Sequence, residues 1–493
     1  MPPRTVVIGV DSSTQSTKAA FVDAGSGRLL AVGRAPHVVR GELGARESDP
    51  EAWWRALRDA VAAGLKESGV TASAVTGIAV AGQQHGLVVL DRSGRPLRHA
   101  MLWNDTRSAP QAAALTEALG GPDAWTARTG SVPVAAVTAS KWRWLQENEP
   151  DVAAAAAAVR LPHDFLTERL AGTAVTDPGD ASGTGWYSIA TGAYDPGILQ
   201  LLGLDAASLP TVAPAGATHV GSLTAGAADD LGLPTTTAVA AGTGDNMSAA
   251  VGLGLGGAGL VDHPVLSLGT SGTVFAATRT RPASPALSGF AATDGTYLPL
   301  ACTLNCTLAV DKVAALLGLD RDDISPGGEA VLLPYLDGER TPDLPAAAGL
   351  LTGLRHDTTP RQLLGAAYEG AVVTVLRALD ELLRACGLDP ADPEVAARPL
   401  RLIGGGARGR AWVETVRRLS GRPVIVPGSG EPVALGAAAL AAAAATGSDP
   451  VAIAAGWGTG EDVRLPPVRR DSATWERVGS VLERASGPLL AGF

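Results

Sequence analysis

Thr5-Val-Val-Ile-Gly-Val10 is apolar and β-branched, Asp11-Ser-Ser-Thr-Gln-Ser-Thr-Lys18 is polar, and Ala19-Ala-Phe-Val22 turns apolar again. That pattern reads as a buried strand, a polar turn and a returning strand. A second turn at Gly25–Gly27 leads into Leu29–Val32, completing a three-stranded meander. The unit recurs in the second half, where Pro264–Leu268 is a strand, Gly269-Thr-Ser-Gly272 a tight turn and Thr273–Ala277 the return. Around these hairpins, Asp49-Pro50-Glu51 introduces a helix over Trp53–Leu65, and Val75–Val80 and Leu87–Leu90 read as strands. In the second half, strands at Leu400–Ile403 and Val424–Val426 alternate with helices over Ala411–Leu419 and Val433–Ala445. Alternating strands and helices make an α/β protein. Recurrence of the unit makes two halves on one theme, dividing near Gly242–Gly257. No low-complexity linker separates them, so a cleft between packed domains is expected.

Length and composition agree. The 493 residues are 46% hydrophobic and 18% charged, enough for two large cores and against wholesale disorder. Only four of the 39 basic residues are lysines, and a net charge of −10 with no basic block argues against a nucleic-acid partner. Three cysteines form no disulfide framework, which makes the cytoplasm the default compartment. Cys302 and Cys306 would share one helix face, yet no further ligand follows at metal spacing, so inert thiols are expected. The longest uncharged stretch, between Glu431 and Asp449, is too short and too interrupted to span a membrane.

A nucleotide enzyme needs a phosphate cradle, and no lysine here follows a glycine as a P-loop demands. The two hairpins offer another. Hydroxyls and backbone N–H groups crowd the Asp11–Lys18 turn, and a carboxylate there can orient Mg²⁺ through water. The glycines of Gly269–Gly272 let backbone approach an anion closely. Taken singly, each is also an ordinary hairpin. Gly404-Gly-Gly-Ala-Arg-Gly409 follows a strand and opens a helix, matching a dinucleotide fingerprint with Glu431 as its ribose acid. That is the rival, an oxidoreductase. In Gly242-Thr-Gly-Asp-Asn-Met247, Asp245 is either a helix N-cap or a general base for an attacking hydroxyl, and the two roles are compatible. His85, after two glutamines at a strand end, and Trp103-Asn-Asp-Thr-Arg107 suit a polyhydroxylated ligand, although each alone is more often a satisfied loop residue.

Together these segments resemble the FGGY family of carbohydrate kinases. The landmarks are Ile8–Lys18, Gly82-Gln-Gln-His-Gly86, Leu102–Arg107, Gly244-Asp-Asn246, Ser267–Thr273, Leu333-Pro-Tyr-Leu-Asp-Gly-Glu-Arg-Thr-Pro342 and Ile403–Arg408. Gly349–Glu369 and Thr138–Leu145 resemble the two family signatures, with Ala136 a small departure in the second of these. The resemblance implies duplicated actin-like, hexokinase-like (ribonuclease H-like) α/β ATPase domains around a central cleft, 1–245 and 246–493. It implies ATP and Mg²⁺ as cofactors and D-xylulose as the phosphoryl acceptor, with L-ribulose or glycerol as alternatives inside the fold. A non-catalytic actin-like ATPase module is the remaining alternative.

By the same resemblance, Asp245 is the catalytic base and Asp11 the carboxylate near Mg²⁺ and the γ-phosphate. Thr14, Ser16 and Lys18 surround the phosphates, Gly269 and Thr270 hold their other side, and Gly404, Gly405 and Gly406 border adenosine. Gln84, His85 and Asn246 bind the ketose, with Trp103 and Asp105 near its pocket. Relatives often carry methionine before that histidine, so Gln84 is a departure. Homodimers are common in the family; no membrane or nucleic-acid partner is implied.

Overall fold

The computed structural model describes residues 5–485 except 217, 257–260, 337, 343, 345, 429 and 459–461. Asp337 of the Leu333–Pro342 motif and Gly257, at the end of the expected boundary, lie outside the described residues. Among those described, two seven-stranded mixed sheets dominate. The first runs Leu29–Pro36, Ser16–Asp23, Val6–Ser12, Val75–Gly82, Ala238–Ala240, His219–Ser222, with Thr243–Gly244 continuing the pairing on Val75–Gly82. The second runs Tyr297–Thr303, Gly272–Phe275, Val265–Leu268, Leu400–Ile403, Val424–Val426, Val463–Leu465, with Ser288–Ala291 added at the Tyr297 edge. Parallel and antiparallel pairings follow the same sequence in both sheets. The hairpin recurrence therefore extends to a duplicated topology.

Val6–Ser12 is central in its sheet and buried along its whole length, which is why it reads as an almost unbroken apolar run. Val6, Ile8 and Val10 face Trp53, Leu57 and Leu166, while Val7 faces Ala434, Leu435 and Ala438. The first face is covered by the helix Pro50–Ser68, whose Asp49 cap accepts from Glu51 N at 3.0 Å. The second face is covered from the far end of the chain. The helix Pro432–Thr446 crosses to the first sheet, and the helix Asp245–Gly252 crosses to the second, where Met247 and Ala250 pack on Val265, Phe275 and Leu298. Each half thus lends one helix to the other.

The lent helices cross each other at glycines. A methyl group on Gly436 would overlap the Ser248 carbonyl, and one on Gly252 would overlap the Pro432 carbonyl. Ser248 Oγ donates to Val433 O at 2.7 Å across the same contact. Among the described residues no helix is long and apolar enough to cross a membrane, and the alanine-rich stretch after Glu431 is this buried interdomain helix.

Candidate active site

Parallel strands bring the landmark segments to one end of the first sheet. Ser12 pairs with Gly82, and Gly244 pairs with Gly82 from the other side, so Asp11, Gln84 and Asp245 all emerge from neighbouring strand ends. Ligands in α/β sheets bind at such carboxyl ends. Gln83 N donates to Ser12 O at 3.1 Å, tying the Gly82–Gly86 segment to the first hairpin.

The hairpin turn is closed by Ser13 N donating to Ser16 O at 3.0 Å, with Asp11 opposite Lys18 in register. Asp11 is buried; its Oδ1 accepts from Ser13 Oγ at 2.5 Å and its Oδ2 lies 3.3 Å from Lys18 Nζ. Thr14 Oγ1 accepts from Trp103 Nε1 at 3.0 Å, so the turn leans on the indole. Ser16, half-buried, stands at the base of the turn. Lys18 also reaches Glu431 Oε2 at 2.6 Å, and Arg34 pairs with the other oxygen of that carboxylate. Glu431 is therefore bound to cations of the first sheet, which removes the acid that the dinucleotide reading required.

The second hairpin is built from Leu268 opposite Gly272, with Gly269 N donating to Ser271 O at 3.0 Å. Its carbonyls anchor the next helix: Thr307 N donates to Gly269 O at 3.0 Å and Cys306 N to Thr270 O at 3.3 Å. Gly404, at φ +85, and Gly406 press on the end of that strand, since a Cβ on either would come within 2.8 Å of Leu268. Gly405 faces open space. Gly404 and Gly406 thus permit a tight 3₁₀ turn against hairpin two, and a Rossmann loop is not formed.

A cavity of about 200 Å³ joins the two halves, lined by Gln84, His85, Trp103, Asp245 and Asn246 from one and Ser271, Thr273, Phe290, Cys302 and Arg340 from the other. Asp245 is the first residue of its helix, and Gly244 takes the N-cap place, so the capping role expected of Asp245 is not the one it fills. Its Oδ1 accepts from Asn246 N at 2.8 Å, and Asn246 Nδ2 donates to Gln84 Oε1 at 2.7 Å. Burial, then Asp11 and Asp180, push the Asp245 carboxyl up to about 7 from its ordinary value near 3.8. A carboxylate this basic sits where proton transfer is efficient at neutral pH.

His85 holds a left-handed backbone at φ 63. Its Nδ1 lies 2.7 Å from Gly183 O, and a carbonyl only accepts, so the proton is on Nδ1 and Nε2 is left an acceptor. Burial, with Lys141 and Arg340 nearby, drives this imidazole down to about 3, so the ring is neutral. The wholly buried Lys141 holds the strained residue in place by donating to His85 O at 3.1 Å.

Asp105 does not line the cavity. Its carboxylate accepts from Arg107 Nη2 at 2.7 Å and from Arg46 N at 2.8 Å, a loop-building role for the residue expected near the sugar. Cys302 lies in a strand and Cys306 caps a helix, so they share no helix face. Burial raises both thiols, that of Cys306 to about 12, which keeps them protonated. Arg340 is the charged cavity group that sequence reading passed over, although it stands inside a quoted motif. Its neighbour Glu339 is buried and accepts from Leu304 N at 2.5 Å and Arg340 N at 2.8 Å, fixing the loop that carries it.

Comparison with known proteins matches this architecture. Residues 6–252 match the model of the FGGY family of carbohydrate kinases, N-terminal domain, and residues 265–445 that of its C-terminal domain. The chain is 56% identical to a xylulose kinase of Streptomyces coelicolor over 98% of this chain and 97% of the relative. A xylulose kinase of Escherichia coli is 33% identical, with 89% and 90% covered. The crystal structure of a xylulose kinase from Bifidobacterium adolescentis superimposes with a TM-score of 0.82 at 34% identity, covering 97% of this chain and 99% of that one. From the two matched domains and the paired hairpins, the chain belongs to the FGGY family of carbohydrate kinases.

Proposed function

We propose that the protein transfers the γ-phosphoryl group of ATP to the terminal hydroxyl of D-xylulose, giving D-xylulose 5-phosphate and ADP. The observation that carries this reading is Asp245: a half-buried, basic carboxylate at the wall of a sugar-sized cavity, facing a second carboxylate at the first hairpin. The relatives' names supply the ketose. In the reaction, Asp245 takes the proton as the hydroxyl oxygen attacks phosphorus in line and the bond to ADP breaks. Asn246 and Gln84 orient the base and, with neutral His85 and Trp103, the sugar hydroxyls; Asp105 supports the loop behind Trp103. Thr14, Ser16 and Lys18 on one hairpin and Gly269 and Thr270 on the other hold the phosphates, and Gly404, Gly405 and Gly406 border the nucleoside. Residues 1–245 and 246–493 are the two domains, the second laying its helix Pro432–Thr446 on the sheet of the first.

Asp11 suits Mg²⁺ held mainly by phosphates and water: it offers one carboxylate, with no cluster of three acidic, histidine or cysteine side chains among the described residues. When bound, the ion neutralises charge on the transferring oxygens. The setting is the cytoplasm, with ATP and the sugar as partners and a homodimer as the assembly.

ADP release from Mg-ATP tests this against D-xylulose, D-ribulose, L-ribulose, glycerol and gluconate. D-xylulose is expected to stimulate most; a stronger response to another member would overturn the ketose assignment, and none at all would favour a non-catalytic module. Lys18→Ala is expected to raise the KM for ATP by roughly tenfold, the worth of one charge-assisted contact in a partly exposed setting, with the KM for sugar nearly unchanged. The reverse pattern would remove Lys18 from the phosphate site. In a pH profile, kcat/KM should fall about tenfold per unit below the Asp245 value near 7, because protonation as pH drops removes the ionised base. A flat profile down to the ordinary carboxylate range would contradict it.

A further inference from the structure

Behind Asp245 lies a set of titratable groups that none of these roles uses. His163, from the helix Pro162–Ala171, is fully buried, as is Asp180 from the helix Pro178–Ala181. His163 Nδ1 lies 2.6 Å from Asp180 Oδ2, and its Nε2 lies 3.2 Å from Asp164 Oδ1 and 3.9 Å from Asp177 Oδ1. Three carboxylates thus surround one imidazole. Burial opposes the ring's charge, but Asp164, Asp180 and Asp177 outweigh it and lift His163 to about 9.

Two of the three carboxylates are otherwise occupied. Asp164 Oδ2 accepts from Leu161 N at 2.8 Å, and Asp177 accepts from Gly179 N, Asp180 N and Thr243 Oγ1 at 2.8–3.0 Å. The second oxygen of Asp180, Oδ1, is buried, and the Gln84 side chain hydrogen-bonds this carboxylate. That oxygen and Gln84 meet beneath Gly244, where a Cβ would lie 3.0 Å from Asp180 Oδ1 and 2.7 Å from Gln84 Cγ. Gln84 Nε2, the donor of that amide, is itself buried. The other end of the same amide accepts from Asn246 Nδ2 at 2.7 Å, and that Nδ2 reaches Asp245 Oδ1 at 3.3 Å. A polar chain therefore runs from His163 through Asp180, Gln84 and Asn246 to the candidate base.

We propose that His163 and Asp180 are the positioning pair of Asp245: held by His163, Asp180 aligns the Gln84 amide, which through Asn246 orients the carboxylate, so that charge on the pair is felt at the base. The inference rests on Asp245 being that base. The charged groups acting on Asp245 are Asp11, from the hairpin, and Asp180, from behind, while Arg340 lines the cavity in front. Neither His163 nor Asp180 is among the cavity's lining residues.

The test is the pH dependence of kcat/KM for D-xylulose in Asp180→Asn. The acid limb is expected to move down by about one unit as a neighbouring negative charge disappears, with the KM for ATP unchanged. The double variant H163Q/D180N keeps a neutral hydrogen-bonded pair, guards against misfolding from an unpaired imidazolium, and should show a smaller shift in the same direction, because the more distant His163 charge is removed together with that of Asp180. Asp180→Ala, which also frees the Gln84 amide, should lower kcat about tenfold on the alkaline plateau. An acid limb that stays in place in both Asp180→Asn and the double variant, or full plateau activity in Asp180→Ala, overturns the proposal. Asp245→Asn is measured beside them. Retained turnover there would defeat the base reading itself, whereas an inert Asp245→Asn with an unmoved Asp180→Asn limb defeats only this inference.

Discussion

Asp245→Asn is expected to lower kcat by about 10²–10⁴-fold, the usual contribution of a positioned general base, while ATP still binds. Asparagine keeps the size and the hydrogen bond from Asn246 N, so the start of the helix Asp245–Gly252 should survive. What it loses is proton affinity. The native carboxyl is held near 7 by burial and by Asp11 and Asp180, so at neutral pH it is both substantially ionised and strongly basic. An amide offers no such acceptor, and the hydroxyl would have to attack while still protonated. ATP affinity should change little, because the groups proposed to hold phosphate lie on the two hairpins. Removing a negative charge from beside Asp11 should, if anything, tighten nucleotide binding. Measurement needs single-turnover ADP formation together with calorimetric ATP binding. A variant with near-native kcat would refute the base assignment; one that lost ATP binding in step with turnover would make Asp245 a nucleotide-site residue.

Which parts of this were legible in the chain follows from how local each signal is. The hairpins were readable because an apolar run, a polar turn and a second apolar run lie within twenty residues. The helix Pro50–Ser68 was readable because Asp49 and Pro50 mark its start within three positions. The helix Pro432–Thr446 was visible as a helix, but its destination was not. Nearly all its side chains are small and buried, so no polar face reveals which sheet it covers. Glu431 failed for a related reason: its distance from Gly404 fits a ribose acid, but its partners Lys18 and Arg34 lie some four hundred positions earlier. Asp105 looked like a ligand because carboxylates near aromatics often are, whereas Arg107 two residues on had already claimed it. His163 gave no signal at all. Asp164 is its chain neighbour, but only packing brings Asp177 and Asp180 to it, and no spacing rule joins two helices and a loop in that way.

Gly436→Val is expected to destabilise the fold by about 3 kcal/mol or more, the upper range for overpacking, and to do so at a helix crossing that ties the two sheets together. Gly436 sits where the helix Pro432–Thr446 crosses the helix Asp245–Gly252, and any Cβ there overlaps the Ser248 carbonyl and crowds Gly252 N. Backbone cannot rotate away as a flexible side chain would. The helices must separate, and each is anchored on a different sheet: Ala434 and Ala438 on the first, Met247 and Ala250 on the second. Separation would therefore displace Asp245, at the start of one helix, relative to Glu431, the partner of Lys18, at the start of the other. Loss of activity should accompany loss of stability, with kcat falling more than the melting temperature alone explains, because a 1 Å misplacement of a reacting group costs about 10²-fold. Gly456→Ala is the control: that glycine is helical, has nothing within 4 Å of its would-be Cβ, and should be neutral or stabilise by up to about 1 kcal/mol. Thermal melts and kcat for the two variants decide the matter. Native stability in Gly436→Val would mean that the helices can move apart freely, and the close crossing would then have no part in holding the base against the phosphate hairpins.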